Sequence, residues 1–378
     1  MKRNLFLFVF SIFLCASCAS DDLDLFDPNA ERNPLEITTD ITFVDPNLVP
    51  QARDLYYRLQ ALTQQGIAFG QQEAIGGGVN FFNPDFAEDS DFSRVTNDQP
   101  AIIGFDLEGL ELIDPRNPNP SIQDFRKKFI QDAHENGSII TISWHAANPI
   151  TRQNSFNRVQ AVPQMLENGT HRAVFMQYLE RLAAFFNDLK DTNGNPIPVL
   201  FRPWHEMNGD FFYWGEGLRT TEEFIQLYRD TIRILTEDFN VHNLIYIYSP
   251  NWVSNASEYL RNYPGDAYVD MLGIDVYDFK NGRFLRNALQ NLQIVEDISF
   301  EKNMLFALTE TGLENVTQND WWTERLYKAI RSSGMTYAMI WRNATANHFH
   351  APYLGHPSEE NFKEFVAKET ILLRQDIQ

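Results

Sequence analysis

The chain has 378 residues, 43% hydrophobic and 22% charged, which is enough apolar material for one large domain or two ordinary ones. Its formal net charge is −20, so it lacks the basic balance that binding to nucleic acid or to an anionic lipid surface requires. Only Cys15 and Cys18 are cysteines, which excludes a disulfide framework and a cysteine metal site, whereas 30 Phe, 14 Tyr and 7 Trp supply abundant flat apolar surface.

The opening "MKRNLFLFVFSIFLCASC" has a basic start, an apolar run from Leu5 to Leu14, and then small residues. This pattern predicts a signal peptide over residues 1–17, too short to span a bilayer as a helix. Ala16-Ser17 before Cys18 resembles a bacterial lipoprotein cleavage site, and Cys18 is then the lipidated first residue of the mature chain. A plain signal peptide would instead leave an unpaired thiol, which suits an exported protein poorly. Asp21, Asp22 and Asp24 follow, a composition that accompanies surface display in some Gram-negative bacteria. The expected location is the outer membrane, lipid-anchored, on the cell surface or the periplasmic face. Residues 18–50, rich in Asp, Pro and Asn, read as a tether, and 51–378 as a single folded domain.

Eight short β-rich runs then follow in order: 66–70, 101–106, 138–145, 198–205, 243–250, 271–277, 303–310 and 336–343. Each is almost continuously apolar and turns polar only at its C-terminal end, as strands covered on both faces do. Helical patterns separate them, such as 121–137, with Ser121 as N-cap and Gly137 as stop, 171–189 and 220–239. Eight βα units predict an α/β fold, a closed (β/α)8 (TIM) barrel, in which the C-terminal strand ends form the working face. "IGGGVN" (75–80) lacks the helix and lysine of a phosphate loop and reads as a flexible loop.

The polar strand ends hold the candidate chemistry. Glu206, in "RPWHEMNG", ends the fourth run, and Glu310, in "ALTETG", ends the seventh. Strands four and seven face one another across a barrel mouth, and two carboxylates so placed suit glycoside hydrolysis. Glu206 sits among Trp204, Phe211, Phe212, Tyr213 and Trp214, where desolvation raises a carboxyl pKa and suits a general acid. Glu310 needs donors to stay ionised, and Tyr277, Arg202 and Arg342 are the candidates. Trp341, beside Arg342 and Asn343, is a candidate platform under a sugar ring. His145, His205 and Asp106 offer a rival metal site, although "HEMNG" lacks the second His of HExxH.

"RPWHEMNG", "GIDVYD" and "ALTETG", with "FGQQEA", "GFDLE", "SWHAANP" and "YAMIWRN", resemble glycoside hydrolase family 26, chiefly β-mannanases of the clan of retaining (β/α)8 hydrolases. The resemblance spans residues 66–343. It implies Glu206 as acid/base and Glu310 as nucleophile. It also implies His205 as a contact of the sugar in the −1 subsite, Tyr277 as orienter of the nucleophile, and Trp341 as the −1 floor. His145 and Trp144 are implied to line the −1 and adjacent subsites. Phe211 falls where some relatives carry Trp, and Trp214, Arg202 and Asp106 complete the expected substrate-binding set. The implied substrates are β-mannan polysaccharides and manno-oligosaccharides, cleaved with no cofactor and no metal by a monomer. A mixed-linkage β-glucanase (lichenase) of the same family and a non-catalytic glycan-binding lipoprotein are the alternatives.

Overall fold

The computed structural model describes residues 27, 29–113 and 120–378, with side chains in the helix from Pro120 described from Phe125 onward. The leader, Cys18 and the acidic run lie outside the described residues, as do the side chain of Ser121 and residues 114–119 of the loop after the second strand.

The eight runs form strands β1 (Ile67–Gln72), β2 (Ile102–Asp106), β3 (Ile139–Ser143), β4 (Val199–Arg202), β5 (Leu244–Tyr248), β6 (Met271–Asp278), β7 (Leu305–Leu313) and β8 (Tyr337–Ile340). Each pairs in parallel with its sequence neighbours, and β8 pairs back onto β1 through Ala68↔Tyr337 to Gln71↔Ile340, so the (β/α)8 barrel is closed. Side chains alternate between two cores. Ile102, Leu200, Ile245, Met271, Ala307 and Met339 fill the barrel, while Phe69, Ile103, Phe201, Tyr246, Leu272 and Phe306 pack against the outer helices. Both faces of every strand are therefore apolar, which is why the runs show no alternation.

Several strand ends shift by a few residues from the expected runs, and two of those shifts shape the site. β4 stops at Arg202, because Pro203 has no N–H for the ladder and Trp204 adopts a left-handed φ of 55°. β7 continues to Leu313 and carries a bulge at Thr309: Ile274 pairs with Leu308, but Asp275 pairs with Glu310. The expected helices lie at Pro120–Glu135, Arg172–Asp188 and Thr221–Arg233, the last opened by a capping box between Thr220 and Glu223. Ser121 falls one residue inside its helix rather than before it, and Gly137 follows the C-terminus at φ 94°. Residues 75–80 are not a loose loop. Gly77–Gly78 pairs with Phe81–Phe82 in a small antiparallel ribbon, and Asp91 Oδ2 accepts the Val79 N–H at 2.6 Å.

The stretch read as tether is docked over its second half. Arg32 donates to the carbonyls of Thr63 and Gly66, at 3.0 and 2.9 Å. Phe43 and Leu48 are buried, the Val44 N–H binds Asp270 at 2.8 Å, and Asp45 pairs with His242 at 2.8 Å. This strap leads into the helix Pro50–Thr63, whose Ala52, Leu55, Tyr56 and Leu59 join the barrel-filling core and close its N-terminal end. Composition signalled a tether because the strap uses few apolar anchors and relies on polar pins.

Candidate active site

Arg202 is the last residue of β4, and its guanidinium is 1% exposed. A buried cation needs partners, and four surround it. Nη1 donates to Glu310 Oε1 at 3.0 Å and to the Thr309 carbonyl, and Nη2 donates to Asp275 Oδ2 at 2.8 Å and to Ser249 Oγ at 3.2 Å. Burial works against the charge of Arg202, but Asp275 and then Glu310 outweigh it and raise its pKa further. Asp275 is fully buried and also accepts from Ser249 Oγ at 3.0 Å and Thr309 Oγ1 at 2.6 Å. The β7 bulge makes this possible. In a regular strand Thr309 and Glu310 would face opposite ways, whereas here both reach the Arg202 cluster.

The second oxygen of Glu310 accepts the Tyr277 hydroxyl at 2.8 Å. Burial and the Glu310 charge push the Tyr277 pKa up, so the phenol keeps its proton and remains a donor. Glu310 is thus held from two sides by an ionic and a neutral donor, which fixes its orientation and complements a negative charge.

Glu206 differs in every respect. The turn after β4 places Trp204 and Glu206 at left-handed φ values of 55° and 53°. Such backbone persists for non-glycine residues only when its surroundings over-determine it, at a cost of about 1–3 kcal/mol each. Here the pins are explicit. The Glu206 N–H binds the Ser249 carbonyl at 2.8 Å, Trp214 Nε1 binds the His205 carbonyl at 2.9 Å, and Trp204 Nε1 binds Thr231 at 2.9 Å. The Glu206 side chain is 8% exposed and has no hydrogen-bond donor among the described residues. Burial, and then the negative charges of Asp275 and Glu310, raise its pKa well above the carboxylate range. One carboxyl keeps a proton and the other is held by donors, the division of labour that acid-assisted nucleophilic displacement needs.

A row of rings runs from Glu206 toward β2. His205 and His145 meet edge to face at 4.6 Å, and His145 Nδ1 donates to Asp106 Oδ2 at 2.7 Å. Burial lowers the proton affinity of His145, but Asp106 outweighs it and the pKa is raised. Asp106 in turn is held below its ordinary range by His145 against the effect of its own burial. Burial and then His145 push His205 well down, so its imidazole stays neutral beside His145. Trp341 is half-buried and lies 6.2 Å from His145, ring to ring. Among the described residues, no three His, Cys, Asp or Glu side chains converge to hold a metal ion.

The structure gathers Glu206, Glu310, Tyr277, His205, His145, Asp106, Trp341 and Phe211 at the C-terminal mouth, and it corrects several expected contacts. Trp144 is fully buried, donating to Glu111 at 3.0 Å and packing on Trp204 at 4.9 Å; it faces the outer helices and has no surface to offer a sugar. Trp214 is also fully buried, stacked under Phe212 at 4.4 Å, and Arg202 acts through Glu310 rather than on substrate. Arg342 pairs with Glu73 at 3.0 Å and not with Glu310. Sequence reasoning assigned no role to Asp275, Ser249 or Thr309. Asp275 was recoverable, because it lies two residues before Tyr277 in "GIDVYD" and so shares its face. Thr309 was not, because only the bulge turns it inward.

A (β/α)8 barrel with a proton-holding carboxyl in the turn after β4 and a donor-held carboxyl on β7 defines the class of barrel glycosidases. Residues 44–348 match glycosyl hydrolase family 26, and the chain belongs to that family. It is 31% identical over 284 residues, 72% of its length, to a mannan endo-1,4-β-mannosidase of Bifidobacterium adolescentis, and the match spans only 28% of that longer protein. Among solved structures it resembles a GH26 β-mannanase from Bacteroides ovatus, BoMan26A, with a TM-score of 0.82 and 31% identity, covering 87% of this chain and 96% of that one. The catalytic domain of a Bacillus sp. JAMB-750 GH26 endo-β-1,4-mannanase is as similar, with a TM-score of 0.82 and 31% identity over 89% and 94% of the two chains.

Proposed function

We propose that this glycoside hydrolase is a retaining β-1,4-mannanase that cleaves within mannan, galactomannan or glucomannan chains. The observation that carries the reading is the asymmetry of its two carboxyls: Glu310 is clamped by Arg202 and Tyr277, and Glu206 is buried with no donor to its carboxyl among the described residues. The named activities of the similar proteins support the choice of mannan. Glu310 attacks the anomeric carbon while Glu206 gives its proton to the departing glycosidic oxygen, leaving a glycosyl ester and a shortened chain. Glu206, now ionised, takes a proton from water, which attacks the anomeric carbon from the side the leaving group vacated. The sugar departs with its original configuration, and Glu310 is again a carboxylate. Tyr277 and Arg202 hold Glu310 for in-line attack, Trp341 floors the reacting sugar, and His145 and His205 bound its edge.

The test is release of reducing ends from linear mannan, glucomannan and lichenan, with the anomer of the first product read by NMR. Strong release from lichenan and none from any mannan rejects the substrate, and an inverted first product rejects the mechanism. The lipoprotein reading of residues 1–18 stands beside it as a proposal: Cys18 anchors the enzyme in the outer membrane. Cys18→Ala should release the protein to the soluble fraction, and a protein that stays with the membrane rejects the anchor.

A further inference from the structure

The two carboxyls are aimed by different means. Glu310 is gripped at both oxygens, by Arg202 and by Tyr277. The Glu206 carboxyl meets no donor among the described residues, so its direction is inherited from its backbone and packing. That backbone is strained, with φ 53° at Glu206, and it keeps its shape only if groups outside the turn hold it. Glu206 itself is tied by its N–H to the Ser249 carbonyl at 2.8 Å and by its carbonyl to the Gly209 N–H at 3.0 Å. The neighbours of Glu206 are held by two side chains, Arg219 and Asn208, to which the chemistry described above gives no part.

Arg219 stands immediately before Thr220, the N-cap of the helix Thr221–Arg233. Its Nη2 donates to the Met207 carbonyl at 2.7 Å, its Nε to the Trp214 carbonyl at 3.0 Å, and its Nη1 to Asn262 Oδ1 at 2.8 Å. Met207 directly follows Glu206, and Trp214 is the residue whose indole holds the carbonyl of His205, directly before it. One guanidinium therefore fixes the chain on both sides of Glu206. The Phe224 ring, 4.8 Å away, supports the guanidinium from below. Arg219 makes no ion pair among the described residues, and burial lowers its pKa to about 10 against the pull of Glu216. A cation drawn out of water and bonded only to neutral oxygens is a costly choice for a mere fastener.

Asn208, two residues beyond Glu206, clasps the loop after β5. Its Oδ1 accepts the Asn251 N–H at 2.8 Å, and its Nδ2 donates to the carbonyls of Asn251 and Trp252 at 2.9 and 3.3 Å. That loop is itself joined to β6, where the Asp275 N–H binds the Pro250 carbonyl at 3.0 Å. The clasp thus ties the Glu206 turn to the strand that carries Asp275 and Tyr277. Resting on the glycosidase reading in which Glu206 is the acid, we propose that Arg219 and Asn208 are positioning residues for proton delivery: they hold the turn that aims Glu206 at the departing glycosidic oxygen. They act through Glu206, so their loss matters where a proton has to be delivered and not where the bond breaks without one.

The test uses two leaving groups. A sugar leaving from a linear manno-oligosaccharide must take the Glu206 proton, whereas 2,4-dinitrophenolate leaves a 2,4-dinitrophenyl β-mannobioside as a stable anion. Because kcat/KM covers only the steps through bond cleavage, the later attack by water does not enter it. It is measured on both substrates for the wild type, Arg219→Met, Arg219→Lys and Asn208→Ala. On the oligosaccharide it is expected to fall about ten- to a hundredfold in Arg219→Met and severalfold in Asn208→Ala, part of what general acid catalysis supplies. On the aryl mannobioside all three variants should stay within about twofold of the wild type. Arg219→Lys, which keeps the charge but not the planar fork that spans three acceptors, should fall between the wild type and Arg219→Met. Equal losses on both substrates overturn the proposal, because the two side chains then only support the fold, and so does no loss on either. If Arg219→Met fails to fold, Asn208→Ala decides on the same ratio. A wild type that cleaves neither substrate refutes the glycosidase reading and the proposal with it, whereas a failure confined to the variants refutes the proposal alone.

Discussion

The two ends of the barrel bury carboxylates in opposite ways. At the N-terminal end, Asp270 accepts the N–H groups of Val44 and Tyr246, both at 2.8 Å, and fastens the strap across the barrel floor. At the C-terminal end, Glu206 is as well buried but no donor among the described residues reaches its carboxyl, and Asp275 and Glu310 add negative charge to its surroundings. A satisfied buried carboxyl is a fastener. One left unsatisfied, on a strained backbone, stores a proton for use. The difference lies in the partners and not in the residue type.

Breaking the catalytic end should cost most. Glu310→Ala removes the proposed nucleophile, and kcat on mannan should fall by about four orders of magnitude or more while the thermal midpoint barely moves. Glu206→Gln should lower kcat by roughly 10²- to 10⁴-fold and abolish the alkaline limb of the pH profile. That limb belongs to Glu206 because its protonated form is the active one: activity is full below its raised pKa and is lost as pH rises through it. Asp275→Asn removes a negative neighbour, so the surviving activity should lose its alkaline limb at lower pH than the wild type. A limb that stays in place would show that burial alone sets the Glu206 proton affinity.

The other end should respond in stability and not in rate. Asp270→Ala orphans the buried N–H of Tyr246 and the part-buried N–H of Val44, and should cost about 1–3 kcal/mol for the first and less for the second in denaturant unfolding, with kcat/KM within twofold of wild type. A larger effect on rate than on stability would mean that the strap communicates with the mouth. The smallest effect expected is from a chelator: EDTA should leave mannan hydrolysis unchanged, and a loss restored by a divalent cation would revive the metal reading of Asp106, His145 and His205.

The barrel was legible because its strands are buried on both faces, and continuous apolar runs with polar C-terminal ends follow from that burial alone. Glu206, Glu310 and Tyr277 were legible for the same reason, since they are the polar residues at which such runs end. Trp144 misled because a tryptophan at a strand end looks the same whether it faces the mouth or the helices. Residues 32–49 misled because hydrogen bonds to Asp270, and from Arg32 to carbonyls, leave no hydrophobic period to read.

Sequence alone determined the order of the strands and where each run turns polar, because strand order and polarity are local properties of the chain, but not which residues at those ends face the mouth, as Trp144 shows. Only the tertiary structure decided their partners: that Arg202 is shared between Asp275 and Glu310, that Arg342 goes to Glu73, and that no donor among the described residues reaches the Glu206 carboxyl. Hydrogen bonds across a barrel join residues many tens of positions apart. A single bulge at Thr309 changes which of them point inward, and no local pattern in the chain encodes either.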